Sequence, residues 1–549
     1  MASRLESIPY DVLLQVAFFT ASGSVLGPPS SLPNLLLTSK ALYRELNVTA
    51  CPHLYARLFH HQFDAPALFN PTPFGHPAST TLALEYVARH KLLRRSRLSS
   101  WSDQDLLGDM RCALRMILES DGTNESQLAL DNFPEQLLAL AEAHLGPDSG
   151  EVGSQELKCL LVWLLSMSLS QRDISRISSE RLEHLCLLLL RFTVPASHPS
   201  QILWFSELVT FFQCDSVAST SSKKPQCGYL DGHPSSGILS LSHPFSVLQP
   251  SFPAINVIFA MKECRPILIP PHLPETRAIA LANQFTGPTR QDLREFQRCR
   301  TPLFADSIPR DNFSASFTLP GRSRSHDPEW YHLFGREHPG PRLTAPHLRL
   351  GAFAGLWKGS MMTEVTQEDA TESSGLMNRQ PLQVLLKSYH CFSSYTPLLS
   401  RSGDGSFNSF PFEPFDDSQT NDFERLLDQH HYLESESVEN QEDGATRERP
   451  SRRKEPMPPI ADTILCGETT DDHDQAWKGF RYVGRVHKDG LVLLKRKPKN
   501  QSEEYLGTSL FEGRLLNGGT FVGRWRNSLE RQGPRGIFTL VKAKREDSA

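Results

Sequence analysis

The last third of the chain carries a short repeat in which an aromatic residue and a glycine lie two positions apart. The repeat occurs four times, at residues 353–357, 482–486, 511–515 and 521–525. Side chains alternate between the two faces of a strand, so the aromatic residue, the glycine and the final apolar residue share one face. The glycine leaves room for a large neighbouring side chain or a sharp bend, as small closed sheets require. The repeat therefore predicts a small antiparallel β-barrel.

Short segments typical of strands surround the repeat and extend this prediction over residues 347–549. They contain β-branched or aromatic residues and lie at 355–362, 382–392, 480–486, 491–496, 509–515, 520–525 and 536–543. Lys488-Asp489-Gly490 and Asn517-Gly518-Gly519 are strong hairpin signals between them. Residues 403–459 are acidic and polar instead, and this composition predicts a disordered insertion within the barrel domain.

The first 215 residues show the apolar spacing of helices. A compact helical module is expected over residues 1–65, and a helical spacer over 80–215, where Leu182, Leu185 and Leu189 recur at helical intervals. Residues 216–346 form a Pro/Ser-rich linker in which 255–260 and 266–269 favour short strands or buried extended segments. The sequence thus predicts an α+β multidomain protein, helical first and a β-barrel last.

Composition narrows the kinds of partner that we expect. The chain has 57 Lys plus Arg against 62 Asp plus Glu, so no global field attracts nucleic acid or an anionic membrane. Its longest apolar stretches, 12–19 and 159–165, are far shorter than a bilayer-spanning helix. The ten cysteines are isolated from one another, which indicates reduced thiols rather than disulfides or a metal site. We therefore expect a protein of the cytoplasm, the nucleus or both.

The N-terminal module contains a loosely spaced series of apolar positions. It reads Ile-Pro-x-x-Val-Leu-Leu-x-Val from residue 8, Pro-x-Leu-Leu from 33, Ser-Lys-x-Leu-Tyr from 39 and Leu-Tyr-x-x-Leu from 54. This order resembles the F-box, a three-helix adaptor-binding motif. The long loop at 21–31 departs from that pattern and puts the position of the second helix in question. The resemblance implies that the surface contacting or supporting the adaptor consists of Ile8, Pro9, Val12, Leu13, Val16, Leu35, Leu36 and Leu42. The alternative is an ordinary helical bundle with these residues in its core.

The C-terminal region resembles the β-barrel domain of a group of fungal F-box proteins. The resemblance rests on the strand at 355–359, on 466–469 ahead of His473, and on 482–486, 489–491 and 521–525. It implies that the barrel presents a degradation target. By this resemblance the chain is the non-catalytic substrate-recognition subunit of an SCF-type, cullin-based ubiquitin ligase. Its expected partners are the SCF adaptor subunit, the cullin and a target protein.

Two groups of polar residues in the barrel domain are candidates for target binding. Glu468 and His473 belong to a run that also holds Asp471, Asp472 and Asp474. Such a run is typical of a solvated loop or a rim that contacts a peptide, and one histidine among adjacent carboxylates does not favour a metal site. A second set shares the face opposite the repeat's aromatic residues and can bind carboxylate or phosphate or remain a solvated outer face. It consists of Arg485, Arg514 and Arg524.

Sequence motifs of common catalytic centres do not occur in the chain. It has no G-x-S-x-G elbow, Walker loop, G-x-G-x-x-G fingerprint or H-E-x-x-H helix. We therefore expect neither catalysis nor a cofactor. Two alternatives stay open: a ligand-binding β-barrel or scaffold protein without a ubiquitin role, and a hydrolase in the barrel. A histidine hydrogen-bonded to Ser or Cys in a cavity would favour the hydrolase.

Overall fold

The structure is a computed structural model in which the chain divides into two compact units. One comprises Met1–Leu189, Gly232–Val257 and Leu303–Leu343, and the other comprises Leu190–Asp231, Ile258–Pro302 and Thr344–Ala549. The residues that it describes are 8–29, 31–64, 78–146, 152–193, 250–307, 350–364, 376–392, 395, 420–435, 460–487, 490–516, 519–527 and 535–543.

Four short helices form the N-terminal module. They are α1 (Tyr10–Ala21), α2 (Ser31–Thr38), α3 (Lys40–Leu46) and α4 (Pro52–Gln62). Local sequence sets their starts: Ser39 accepts a hydrogen bond from the Ala41 N–H at 3.1 Å, and Pro52 occupies the first turn of α4. The module packs α1 against α2 and α4. Its core includes Leu13, Leu42 and Leu58, which are at most 2% exposed.

The predicted spacer is helical in its described part. Its helices are α5 (Ser79–Leu98), α6 (Asp103–Leu118), α7 (Thr123–Leu130), α8 (Phe133–His144), α9 (Val152–Ser168), α10 (Gln171–Ser175) and α11 (Ser179–Thr193). The buried guanidinium of Arg89 on α5 forms ion pairs with Glu85 on the same helix and with Glu119, the residue that follows α6. The part of the predicted spacer after residue 193 lies outside the described residues.

The strand expected at 255–260 is instead part of a helix. The linker region contains α12 (Ser251–Glu263), α13 (Arg277–Ala282) and α14 (Arg290–Arg298). Side chains all along α12 are buried, including Ile255, Val257, Ile258 and Phe259. A helix that is apolar all round has no amphipathic period, so its sequence resembles that of a buried strand. The prediction of a linker with extended segments was therefore wrong for this stretch.

The C-terminal domain is a closed antiparallel barrel of eight strands, as the repeat predicted. Its sheet contains β1 (Gly355–Glu364), β2 (Leu376–Phe392), β3 (Leu433–Glu434), β4 (Ile460–Glu468), β5 (Phe480–Val486), β6 (Val492–Pro498), β7 (Ser509–Leu516), β8 (Thr520–Asn527) and β9 (Arg535–Lys542). The order is β1-β9-β8-β7-β6-β5-β4-β2, and β1 also pairs with β2, which closes the barrel. The short β3 adds to β2 outside the closed ring.

Aromatic residues of the repeat fill the barrel interior. Phe521 and Trp357 are at most 1% exposed, and Phe521 contacts Phe538 with ring centroids 5.0 Å apart. Glycine is required beside them: a Cβ on Gly513 would lie 2.8 Å from the Phe521 ring and 2.3 Å from the Val522 carbonyl oxygen. The repeat thus places a large ring and the space for a neighbouring ring on the same inner face.

The prediction of a disordered insertion over 403–459 was wrong for residues 420–435. This part forms α15 (Thr420–Gln429) and β3. Leu427 and Tyr432 are buried against the outer face of the barrel, where they contact Cys391, Ile464 and Val483. Two well-placed apolar residues therefore order a segment whose overall composition is polar. The other residues of the insertion lie outside the described part.

A further short helix, α16 (Asp471–Trp477), connects β4 to β5. Its first turn contains Asp471 and Asp472, both exposed, where carboxylates suit the positive end of the helix dipole. Within the described ranges, no helix combines the length and the apolar character that crossing a bilayer would require.

Candidate functional site

Helix α1 carries two apolar stripes. One faces the core of the module and consists of Leu13, Ala17 and Ala21, all at most 3% exposed. The other faces outward and consists of Val12, Val16 and Phe19, which are 44%, 37% and 69% exposed. Positions 12, 16 and 19 follow helical spacing, so these three side chains lie on one face. An apolar face of this kind is typical of a surface that binds another protein.

The other predicted adaptor-binding residues are divided between the surface and the core. Pro9 is exposed, Ile8, Leu35 and Leu36 are half-buried, and Leu42 is buried at 1% exposure. Leu13 and Leu42 therefore support the surface from within. The adaptor-binding set predicted from the sequence leaves out three exposed apolar residues on the same helices, because the motif gives spacing but not exposure. They are Tyr10, Leu37 and Tyr43, which are 47%, 82% and 56% exposed.

The long loop at 21–31 is attached to the spacer helices. The Gln127 side-chain amide donates a hydrogen bond to the Val25 carbonyl at 2.9 Å, and its oxygen accepts one from the Gly27 N–H at 2.8 Å. Gly27 has a φ of +87°, a conformation that glycine adopts without strain. These contacts fix the path of the chain between α1 and α2. The position of α2 is therefore defined although the loop before it is long.

Glu468 and His473 lie at one end of the barrel, where α16 follows β4. Glu468 is 58% exposed and forms an ion pair with Lys499, Nζ to carboxylate oxygen 3.2 Å. Lys499 also donates to Asp474 and to the Thr469 carbonyl, both at 2.7 Å. The acidic run is thus partly neutralised by one lysine. Within the described ranges, no three His, Cys, Asp or Glu side chains are grouped to hold a metal ion.

His473 is half-buried on α16 and is uncharged near neutral pH. Burial lowers its pKa to about 4; Asp474 opposes this shift, whereas the nearby cations Arg496 and Lys358 add to it. A neutral imidazole can donate one hydrogen bond and accept another. His473 is therefore suited to hydrogen bonding rather than to ion pairing.

Arg496, which sequence reasoning missed, points into the same end of the barrel. Its guanidinium carbon lies 4.1 Å from the Phe480 ring centroid and 5.2 Å from that of Phe511. Tyr482 is its direct neighbour on β5. The signal was present in the alternation of β6, in which Val492 and Leu494 share the inner face with Arg496.

The predicted arginine set does not form an open stripe. Arg485 makes a bidentate ion pair with Asp462, at 2.7 and 2.8 Å, under Tyr432, whose hydroxyl donates to the same carboxylate. Arg514 is buried at 7% exposure. Arg524 is half-buried and lies directly opposite Glu512 on the neighbouring strand. The alternative of a solvated outer face is wrong for Arg485, which the ordered part of the insertion covers, and for the buried Arg514.

A histidine with serine contacts, the feature that would favour a hydrolase, occurs at the barrel end opposite Arg496. His390 Nε2 lies 2.8 Å from the Ser435 hydroxyl, and Nδ1 lies 3.0 Å from that of Thr463. A Ser-His-Asp triad requires a carboxylate at the position of the Thr463 hydroxyl. His390 and Ser435 are also at most 2% exposed, and burial lowers the pKa of His390 to about 4. Among the described residues, the arrangement is a buried hydrogen-bond network.

Comparison with known proteins adds no relative: the chain matches no protein-family model, no curated protein and no solved structure. The F-box resemblance therefore rests on the motif residues, and the barrel resemblance on its repeat and its closed sheet.

Proposed function

We propose that this chain is the substrate-recognition subunit of an SCF-type, cullin-based ubiquitin ligase. Helices α1 to α3 dock onto the adaptor subunit, which connects the chain to the cullin, and the barrel binds a target protein for ubiquitination. The observation that carries the proposal is the outward apolar stripe of Val12, Val16 and Phe19, in a motif whose inward residues already form a core. Such a chain works in the cytoplasm, the nucleus or both.

The surface contributes to binding through burial of apolar side chains. Full burial of one large aliphatic or aromatic side chain contributes about 1.5–3 kcal/mol, and Val12, Val16 and Phe19 each offer the fraction that is exposed in the free chain. The chain then contributes to ubiquitination by positioning the target. It holds a bound target at high local concentration near the ubiquitin-charged enzyme. No nucleophile from this chain is needed.

The ligand-binding barrel without a ubiquitin role is less well supported. In the described part of the barrel domain, eighteen buried apolar side chains make up one continuous core, among them Phe353, Phe511 and Phe538. A small-molecule site requires a cavity of about 300–1,000 Å³. The packed side chains of this core favour a filled interior in the described part of the barrel.

The test is a double substitution on the outward stripe, Val12→Glu with Val16→Glu. Both side chains are exposed, so the module should still fold, but two charges would enter a desolvated interface at a cost of several kcal/mol. We expect the affinity of the purified chain for the purified adaptor to fall by about 100-fold or more, measured by calorimetry.

The matched control is Leu84→Glu with Leu98→Glu on α5, two exposed apolar residues outside the motif. This variant should bind the adaptor as tightly as the unmodified chain. Equal adaptor binding by the Val12/Val16 variant, with its circular dichroism unchanged, would reject the proposed function.

A further inference from the structure

Helix α16 lies next to side chains that fill one end of the barrel. Burial is the main reason that the pKa of His473 on this helix is low, and the Arg496 guanidinium is close enough to lower it further. Burial likewise raises the pKa of the Tyr482 hydroxyl, and Asp474 on α16 is close enough to add to that increase. The helix therefore adjoins both Arg496 and Tyr482, whose side chains point into the barrel.

Polar contacts hold α16 in this position. The Asp474 carboxylate accepts a hydrogen bond from Lys499 Nζ at 2.7 Å and another from the Thr469 hydroxyl. We call Asp474, Thr469 and Lys499 the latch. Of the seven residues of the helix, only Ala476 is buried. An element that is held mainly by polar contacts at the surface opens more readily than one that belongs to a core.

The residue that follows α16 has a strained backbone. Lys478 has a φ of +82° and a ψ of 152°, a conformation that glycine alone adopts readily. The next residue is confined by the latch: a Cβ on Gly479 would lie 2.9 Å from Asp474 Oδ2 and 3.0 Å from Lys499 Cδ. Backbone strain persists only where surrounding contacts hold it, and it is common in segments that switch position. The latch thus holds α16 against the preference of the residue at its end.

The side chains next to α16 are also incompletely satisfied. Arg496 Nε and the Tyr482 hydroxyl are buried and make no hydrogen bond within the described residues. Arg496 reaches two neutral acceptors instead, the Ser509 hydroxyl at 3.3 Å and Met361 Sδ at 3.7 Å. Buried polar groups that lack a partner raise the free energy of the state that contains them. The strain at Lys478 and these unpartnered atoms therefore disfavour the same position of the helix.

We propose that α16 is a lid that opens and closes over this barrel end, with Lys478 as its hinge. Opening breaks the latch, relieves the backbone of Lys478 and gives other molecules access to Arg496 and Tyr482. The inference rests on the proposed function only for the assignment of a target protein as the molecule that gains access. Adaptor binding uses α1 to α3, so the two proposals can fail separately.

Hydrogen–deuterium exchange of the full-length chain, followed by mass spectrometry, measures the opening of this lid. A helix of seven residues is unstable when detached, so its amides exchange when the lid opens. Gly479→Ala places a methyl group against Asp474 and Lys499 and should break the latch. We expect exchange of α16 to rise by about fivefold or more, with exchange of β7 and β8 unchanged. Phenylglyoxal, which modifies accessible guanidinium groups, should also label Arg496 faster in this variant.

The matched control for this substitution is Gly519→Ala. A Cβ at Gly519 meets no atom within 4 Å, so the control should leave both the exchange of α16 and the labelling of Arg496 unchanged. Calorimetry with the adaptor should give equal affinities for the two variants and the unmodified chain. This measurement separates failure of the lid from failure of the proposed function.

A second pair of variants tests the hinge. Lys478→Gly and Lys478→Ala both remove the ion pair with Glu503, in which Nζ lies 2.9 Å from the carboxylate. Only glycine also removes the backbone strain. We therefore expect α16 to exchange more slowly in Lys478→Gly than in Lys478→Ala, by about threefold or more.

Three results would overturn the inference. The first is exchange of α16 at the rate of β7 and β8 in the unmodified chain, because the helix would then open only when the barrel unfolds. The second is equal exchange of α16 in the two Lys478 variants. The third is a Gly479→Ala variant in which exchange of α16 or labelling of Arg496 is unchanged, or in which β7 and β8 exchange faster by the same factor as α16.

Discussion

At the scale of single residues, the barrel depends on large rings packed beside glycines. Phe521 is fully buried and its ring contacts those of Phe353, Trp357 and Phe538. Phe521→Ala removes these contacts and leaves a cavity, so we expect the free energy of unfolding to fall by about 3–5 kcal/mol. Denaturant unfolding measures this change. Tyr505→Ala, at a residue 75% exposed, should change it little, and a loss below about 1 kcal/mol for Phe521→Ala would contradict the assigned core.

Residue spacing alone predicted which side of each repeat faces inward, because strand geometry fixes the alternation of side chains. It did not predict the environment of the outward residues. Arg485 is covered because Asp462 and Tyr432 reach it from other segments. Arg496, in contrast, lies inside although it is charged, since the rings of Phe480 and Phe511 accept its guanidinium. Contacts between residues far apart in sequence decide both cases.

At the scale of elements, α15 and β3 form an ordered cover on the outside of the barrel. Leu427 is 3% exposed and packs with Tyr432 against β2, β4 and β5. We expect Leu427→Ala to destabilise the barrel by about 2–5 kcal/mol through the cavity it creates. The neighbouring Asp428 is exposed, so Asp428→Ala serves as the control and should have little effect in the same unfolding experiment. Equal stability of the two variants would show that this segment does not support the barrel.

Elements with both a clear period and clear ends were predictable from sequence. The bounds of β5 agree with the segment predicted at 480–486, and β7 extends the segment predicted at 509–515 by one residue. The helix α12 was not predictable because its uniform burial removes the helical period from its sequence. β4 and α15 were missed for a different reason: each lies within or beside the acidic insertion, and its ordering depends on contacts with the barrel rather than on its own composition.

The candidate site, too, was predictable from the sequence only in part. The motif predicted an adaptor surface, and the helical positions of Val12 and Val16 follow directly from it. Which motif residues are exposed depends on how α1 packs against α2 and α4, which spacing does not reveal.

At the scale of the whole molecule, the two binding roles of the proposed function belong to different parts of the chain. In the proposed function, the N-terminal helices offer an apolar surface to the adaptor, and the barrel domain offers an end with Glu468, His473 and Arg496 to a target. A receptor of this kind raises the effective concentration of its target near the ligase, and either binding event alone is insufficient. The central claim is therefore that the chain resides in a cullin complex.

The most direct measurement of that claim is affinity purification of the tagged full-length chain from cells with the proteasome blocked, followed by quantitative mass spectrometry. The account predicts that an SCF adaptor and a cullin co-purify with the unmodified chain and with the Leu84/Leu98 control, together with ubiquitinated targets. It predicts that adaptor and cullin disappear from the purification of the Val12→Glu, Val16→Glu variant. Recovery of a folded, unmodified chain without adaptor or cullin would contradict the account.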